Sequence, residues 1–581
     1  MVLHLRAVAF CLLSVSIIAN AAPQHPATPA PNPMQPLIER YTTDRRLLHT
    51  VYSDPLSPTT RDRLAKFNTE WKSRLTEVNF ASLDQEGKVD YLLLKNFLTR
   101  QDHQQAVAAE QWKKSEPFLP FAADIFAIED ARRAIERPDG EKTAARLTAM
   151  LTSLTRRRKE LEKELSNPST HPNRIDAWHA AENLDHLRNN LHRWYEFYNG
   201  YDPLFTWWNQ LPYKKLDDAM KDYSTFLREK VAGVAADDKT TVIGTPVGRQ
   251  ALLDQLSDEM IPYTPEELIT MARSELAWCK EQMLKASREM GYGDDWHKAL
   301  EAVKTKYVEP GKQPELILQL EKEAEQFIDK NQLVTVPDLA REGWRMEMMS
   351  PERQLVNPFF TGGDTISVSY PTDTMTYSER EMSMRGNNIY FSRATVFHEE
   401  IPGHWLQEYS MARNHPYREL FATGFWIEGN SLYWEMNFWD HGFDQTPEQR
   451  IGALFWRMHR CARIIFSLSF HLGQMTPDQA IDFLVNEIGH ERDNATAEVR
   501  RSVNGSYDPL YQCAYLVGGM QFRALNHELV GSGKMTERQF NDAVFAESSM
   551  PLEMLRAILT HQPLTPDYKT SWRFLEAEPQ H

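Results

Sequence analysis

The sequence predicts a mainly α protein built from many helices, and three observations carry that prediction. Long stretches free of glycine and proline, such as Glu141–Leu165 and Arg174–Tyr198, place apolar residues at helical spacing. Three helix starts share one design: Thr264-Pro265-Glu266-Glu267, Thr446-Pro447-Glu448-Gln449 and Thr476-Pro477-Asp478-Gln479. Each puts a hydroxyl at the N-cap, proline at the first helical position and Glu or Gln at the third. Strand signals are few. The clearest is Thr365–Tyr370, alternating and β-branched, entered through Gly362-Gly363 and closed by Pro371, which marks it as an edge strand. Such an edge could take up a peptide backbone by strand addition. No internal repeat at a solenoid period is seen.

With 581 residues the chain can bury a large core and form more than one lobe. Its 41% hydrophobic and 25% charged residues exclude disorder or a membrane-embedded protein for most of its length. A net charge of -16 argues against nucleic-acid partners, which need a basic face.

At the N-terminus, His4 and Arg6 precede an apolar run, Ala7–Ile18, and then Ala19-Asn20-Ala21. This pattern is that of a secretory signal peptide, residues 1–21; the run is too short to span a bilayer, and a short anchor is the alternative. Cys11 has no Leu-Ala-Gly before it, which disfavours lipidation. Residues 22–37, rich in Pro and Ala, form a spacer. No later stretch is apolar enough for membrane insertion. The expected product is therefore exported, to the periplasm or beyond. An N-terminal helical lobe over 38–330 and a second helical lobe over 331–581 complete the division. Cys279, Cys461 and Cys513 are too sparse for a disulfide framework and suit buried positions, with one pairing open. The aromatic run Trp194–Trp208 suits helix packing and a turn at Gly200–Pro203 better than a substrate cleft.

The chemistry concentrates in His398-Glu399-Glu400-Ile401-Pro402-Gly403-His404. Helical zinc sites use two histidines four residues apart, on one face. Here His398 and His404 are six apart. On a regular helix that is about 600°, so they would point roughly 120° apart. Pro402 has no N–H for the His398 carbonyl, and Gly403 frees the backbone. A break between them could bring both imidazoles to one ion, with Glu399 as general base. A third ligand is expected from a neighbouring helix. Glu428, 24 positions after His404, is the first choice; Glu435, two turns further, is a second candidate or an acceptor for a ligating histidine.

These residues also carry a resemblance. His398–Gln407 (HEEIPGHWLQ) resembles the H-E-x-x-P-G-H-x-x-Q signature of a family known as domain of unknown function number 885. Its members resemble helical zinc oligopeptidases and carboxypeptidases. Ile427–Glu435, Arg460–His471 with the following TPDQAIDFL, and Glu498–Arg501 with Tyr515 and Gly518 match further elements of that family, in order, between about Gly244 and Leu559. The chain departs from the family at Asn430-Ser431, at Ser467, at Ser502 and at Leu510-Tyr511.

The resemblance implies a two-lobed, peptidase-like helical fold with a deep cleft and a small antiparallel β element beside the metal site. It implies one Zn2+ per chain on His398, His404 and Glu428, and a hydrolase that cleaves oligopeptide amide bonds with Glu399 as base. His471 and Tyr515 are implied as oxyanion donors and Arg501 as a holder of a substrate carboxylate, although Arg501 could simply pair with Glu498. Two other classes stay open. One is a carboxylate-bridged di-metal oxidase using Glu399, Glu400, Glu428 and Glu435, for which no second Glu-x-x-His pair is found. The other is a metal-free helical binding protein.

Overall fold

The helix starts written into the sequence are the ones that form. Thr264, Thr446 and Thr476 each accept from the N3 backbone N–H, while the N3 Glu or Gln reaches back to the cap. They open helices Pro265–Glu289, Pro447–His471 and Pro477–Phe483. The glycine- and proline-free stretches form Gly140–Leu165 and Arg174–Tyr198. The computed structural model describes residues 32–577 except 236–237, 239–240 and 355–358. The expected signal peptide lies outside the described residues. The expected spacer ends earlier than position 37: a helix begins at Met34, because Met34 and Ile38 are buried in the core. Among the described residues no helix is long and apolar enough to cross a membrane.

Two hydrophobic cores organise the helices. One gathers helices between residues 112 and 231. The larger gathers residues 34–98 together with the chain from 252 onward, so helices on both sides of position 330 share it. Helix Pro265–Glu289 lies along Pro447–His471, which explains that sharing. A single helix, Gln85–Ser115, runs from Val89–Leu98 in the larger core to Trp112 in the smaller. A cavity of about 780 Å³ opens beside its middle, lined by Arg100 and His103 from this helix and by His179, Phe425, His471 and Tyr511.

The aromatic run packs as a helical corner. Tyr198 ends one helix, Gly200 turns with φ 80°, and Asp202 caps the next from Pro203. Trp194, Tyr195 and Phe205 are buried there. All three described cysteines are buried and free.

The mainly α class holds, with one small sheet among the described residues. Strands β1 (Arg345–Met348) and β2 (Thr365–Val368) pair in parallel, Arg345 opposite Thr365. Among the described residues the expected antiparallel pairing is limited to a single bridge, Thr361 to Ser367. The chain between the strands, with its helix Pro351–Gln354, is long enough for a parallel return. β2 stops before Tyr370 because the Gln354 side chain accepts from the Tyr370 N–H at 2.9 Å and from the Ser369 hydroxyl at 3.0 Å. With β1 on one side and Thr361 on the other, β2 is not the open edge that strand addition needs. The largely exposed β1 is.

Seven helices position the site: α1 (Gln313–Asn331), α2 (Ile389–Glu399), α3 (His404–Met411), α4 (Gly424–Asp440), α5 (Pro447–His471), α6 (Arg492–Val503) and α7 (Tyr511–Asn526).

Candidate metal centre

The seven-residue motif is split between two helices. Asn388 caps α2 by accepting from the N–H groups of Tyr390 and Phe391, and α2 ends on His398-Glu399. Residues 400–403 are not helical, and the Ile401–Pro402 bond is cis. His404 then opens α3. A Cβ on Gly403 would lie 1.9 Å from the His398 carbonyl oxygen, so only glycine fits this crossing. The imidazole centroids are 5.0 Å apart, with the rings at 90°.

Glu428, on α4, faces both rings. Its Oε2 lies 3.6 Å from His398 Nε2 and 3.3 Å from His404 Nε2. Glu435, two turns along the same face, takes the other nitrogen of His398: Nδ1 to Oε1 is 2.7 Å. The two candidates for third ligand thus separate: Glu428 points to the shared space and Glu435 orients His398. His404 Nδ1 lies 3.3 Å from both Gln407 Oε1 and Ser431 Oγ, which leaves its Nε2 facing Glu428. Gln407 also donates to the Ile427 carbonyl at 3.0 Å and to Ser431 Oγ at 3.0 Å, tying α3 to α4.

A glycine contact brings α7 against α4. A Cβ on Gly518 would lie 2.1 Å from the Phe425 carbonyl, and one on Gly429 would lie 2.6 Å from Gly518 Cα. This close approach sets Tyr511 and Tyr515 on Glu428. Their hydroxyls donate to Oε1 at 2.6 and 2.8 Å. Burial first, with the Glu428 charge adding to it, raises both phenols, and for Tyr515 this outweighs Arg463 and Arg460, so they stay protonated donors. Tyr511 stands in the Leu510-Tyr511 departure from the family elements, and Ser431 in another.

The electrostatics follow from this crowding. Burial alone would lower His404. Hydrogen bonding and charge from Glu428, with charge from Glu399, outweigh it and raise the ring to about 9. His398 is raised likewise, its burial opposed by Glu428 and Glu435. For Glu428, burial is outweighed by the two imidazoles, and its pKa lies well below the usual range. Its Oε2 is buried and has no hydrogen-bond donor beside it other than the two imidazoles. Two imidazole nitrogens and an unsatisfied carboxylate oxygen converging on one space form a donor set that fits a divalent cation.

Glu399 lines the same pocket, of about 200 Å³. One of its carboxylate oxygens lies within 4.8 Å of a ligand nitrogen on each histidine. Its Oε2 accepts from Gly362 N at 2.7 Å, so the turn before β2 holds it. Glu400 is fully buried away from this pocket, raised to about 10 by burial and then by Glu321. Tyr515 and Arg501 line the pocket, and Arg501 bonds Glu498. His471 does not join them: it lines the 780 Å³ cavity, with both ring nitrogens unpartnered. Tyr507 and Tyr511 line both cavities. A second group, Glu86, His415 and Glu547, also comes within 4.8 Å, but Arg418 bonds both carboxylates and Asp90.

Sequence reasoning missed Tyr511, Arg460 and the work of Gln407. Tyr511 is one helical turn before Tyr515, the one signal that could have found it.

Comparisons with known proteins agree on the fold. No curated protein matches the chain. A proposed lipoprotein of unknown function from Shewanella oneidensis is similar with a TM-score of 0.66 at 16% identity, over 91% of this chain and 99% of that one. A proposed lipoprotein from Colwellia psychrerythraea is similar with a TM-score of 0.57 at 15% identity, over 91% and 97%. These neighbours share the fold. The match of residues 42–559 to the bacterial proteins of unknown function designated DUF885 shows that the chain belongs to that family.

Proposed function

We propose that the protein is a zinc-dependent hydrolase of peptide amide bonds, acting outside the cytoplasm. The observation that carries this is Glu428 Oε2: buried, with no partner but two imidazole nitrogens 3.6 and 3.3 Å away. His398, His404 and Glu428 would hold the ion, and Glu435 fixes the tautomer of His398. Bound there, zinc would lower the pKa of a water toward about 7 and polarise a carbonyl.

The chain's own residues do the rest. Glu399 Oε2 is pinned by Gly362, and its other oxygen is left to take the proton of a pocket water. Water adds across the C–N bond; its hydroxyl goes to the carbonyl carbon, and Glu399 carries the proton to the leaving nitrogen. Tyr511 and Tyr515 are committed to Glu428 Oε1, so in this reading they hold that ligand rather than wait for an oxyanion. The signal-like N-terminus, with similarity to two proposed lipoproteins, supports export. The di-metal alternative is disfavoured because Glu400 and Glu435 do not line the pocket, and Glu435 is taken up by His398 Nδ1.

The test is Glu399→Gln, assayed on a mixed peptide pool with zinc measured in parallel. Zinc retained with cleavage lost supports the assignment. Undiminished cleavage by a homogeneous variant removes Glu399 as base, and iron or no metal in the native protein removes the zinc reading.

A further inference from the structure

The pocket that holds the candidate ligands has a second, cationic wall of Arg460, Arg463 and Arg501. Arg463 is held by Glu498, Nε to Oε1 at 2.7 Å and Nη2 to Oε2 at 3.3 Å, and Arg501 bonds the same carboxylate. Arg460 has no hydrogen-bond partner among the described residues. Its nearest carboxylate oxygen is Glu435 Oε1, 3.5 Å from Nη2, and that oxygen is already taken by His398 Nδ1 at 2.7 Å. The Arg460 guanidinium instead lies 4.7 Å from the centre of the Tyr515 ring and 5.3 Å from that of Trp456. Its side chain is 6% exposed.

Three guanidinium groups thus share two carboxylates, Glu498 and Glu435. Arg460 Nε, Arg463 Nη1 and Arg501 Nε are all buried without an acceptor. A buried cation is costly unless it is paired and hydrogen-bonded. The wall therefore calls for an anion, and a planar carboxylate suits a guanidinium fork. The pocket, about 200 Å³, is below the roughly 300–1,000 Å³ of drug-sized ligand sites, so it admits only a short end of a chain. Beyond Tyr507 and Tyr511 the larger cavity has room for the remainder, and in its wall the carboxylates Asp176, Glu182, Asp254, Asp258, Glu259 and Asp508 outnumber the cations Arg61, Arg100 and Lys114, which makes it the poorer place for a carboxylate.

Resting on the hydrolase reading above, we infer that Arg460 binds the C-terminal carboxylate of a peptide substrate, so that the protein trims short units from free C-termini. Glu399 and Arg460 line the same small pocket, so the bond that is broken lies close to that carboxylate. Water adds across it, giving a shortened peptide with a new carboxylate and a short leaving unit with a free amine. Arg460, rather than the Glu498-bound Arg501, is the main anchor.

The experiment uses two matched hexapeptide pools with free N-termini, one ending in carboxylates and one in carboxamides, with products read by mass spectrometry. The wild-type protein is expected to trim the acid pool from its C-terminal end and to lose about 10- to 100-fold in kcat/KM on the amide pool, the worth of a charge-assisted hydrogen bond. Arg460→Gln is expected to bring the acid pool down to the amide pool's rate with zinc content unchanged, and Arg460→Lys, which keeps charge and stem, to fall between. Equal cleavage of both pools, or scission at N-terminal or internal bonds, overturns the inference and leaves the hydrolase reading standing. If neither pool is cut, the hydrolase reading fails. Retention of the two pools by Glu399→Gln protein in equilibrium dialysis then decides: preference for the acid pool, lost with Arg460→Gln, supports the carboxylate site, and equal retention overturns it.

Discussion

His398 is held from both sides by carboxylates of one helix: Glu435 Oε1 is 2.7 Å from Nδ1, and Glu428 Oε2 is 3.6 Å from Nε2. The Glu435 contact fixes which nitrogen carries the proton, so that Nε2 keeps its lone pair for an ion. Glu435→Gln should weaken zinc binding by about 10- to 100-fold while leaving the fold intact. Competition against a chelator of known affinity measures this, and unchanged affinity would remove Glu435 from its supporting role.

Tyr511 and Tyr515 share one acceptor, Glu428 Oε1, and their hydroxyls are 3.2 Å apart. Either can orient Glu428 when the other is absent. Each single Phe variant should therefore cost little zinc affinity, and the double variant more than the sum, a coupling of about 0.5–3 kcal/mol. Additive losses in the double-mutant cycle would show that the two act separately.

Glu498, on α6, ties that helix to α5 through Arg463 and also accepts from Arg501, three residues along its own helix. Burial would raise its pKa, but the two guanidinium groups outweigh burial and hold it at about 2. Its folded pKa is below the unfolded value, so the unfolded chain binds more protons in acid. The stabilisation is complete above about 4.5 and is lost as pH falls toward 2, roughly 3 kcal/mol in all. Glu498→Gln should lower stability at neutral pH by about 3–5 kcal/mol, since it strands two cations, and should flatten the acid limb. Urea unfolding at neutral and acid pH checks both effects.

The α4–α7 contact tolerates no side chain at Gly518, where a Cβ would lie 2.1 Å from the Phe425 carbonyl oxygen. Gly518→Ala should cost about 1–3 kcal/mol or more and draw Tyr511 and Tyr515 away from Glu428. A lowered Tm with weakened zinc binding is expected; a normal Tm with normal zinc binding would contradict the packing.

His471 faces the larger cavity, and burial lowers its pKa to about 4, so it is neutral at physiological pH. His471→Gln should alter KM for longer peptides several-fold and leave kcat on short ones unchanged, the mark of uniform binding. A large fall in kcat on short substrates would return it to the reacting centre.

The sequence by itself determined what depends on neighbours along the chain. Thr-Pro-x-Glu/Gln caps start helices wherever they occur, and uninterrupted helical spacing fills them in. It also determined that His398 and His404 could meet only across a broken helix, because Pro402 and Gly403 stand between them. Tertiary structure decided the rest. Whether Glu428 or Glu435 faces the space between the two imidazoles depends on how α4 lies against α2, and both occupy the same helical face. Tyr511 reaches Glu428 only because Gly429 and Gly518 let two helices touch, a contact between residues 89 positions apart. His471 shares a helix with Arg460 and Arg463 but faces another cavity. The parallel pairing of β2 was likewise beyond local signals, since strand direction is set by the path of the intervening chain.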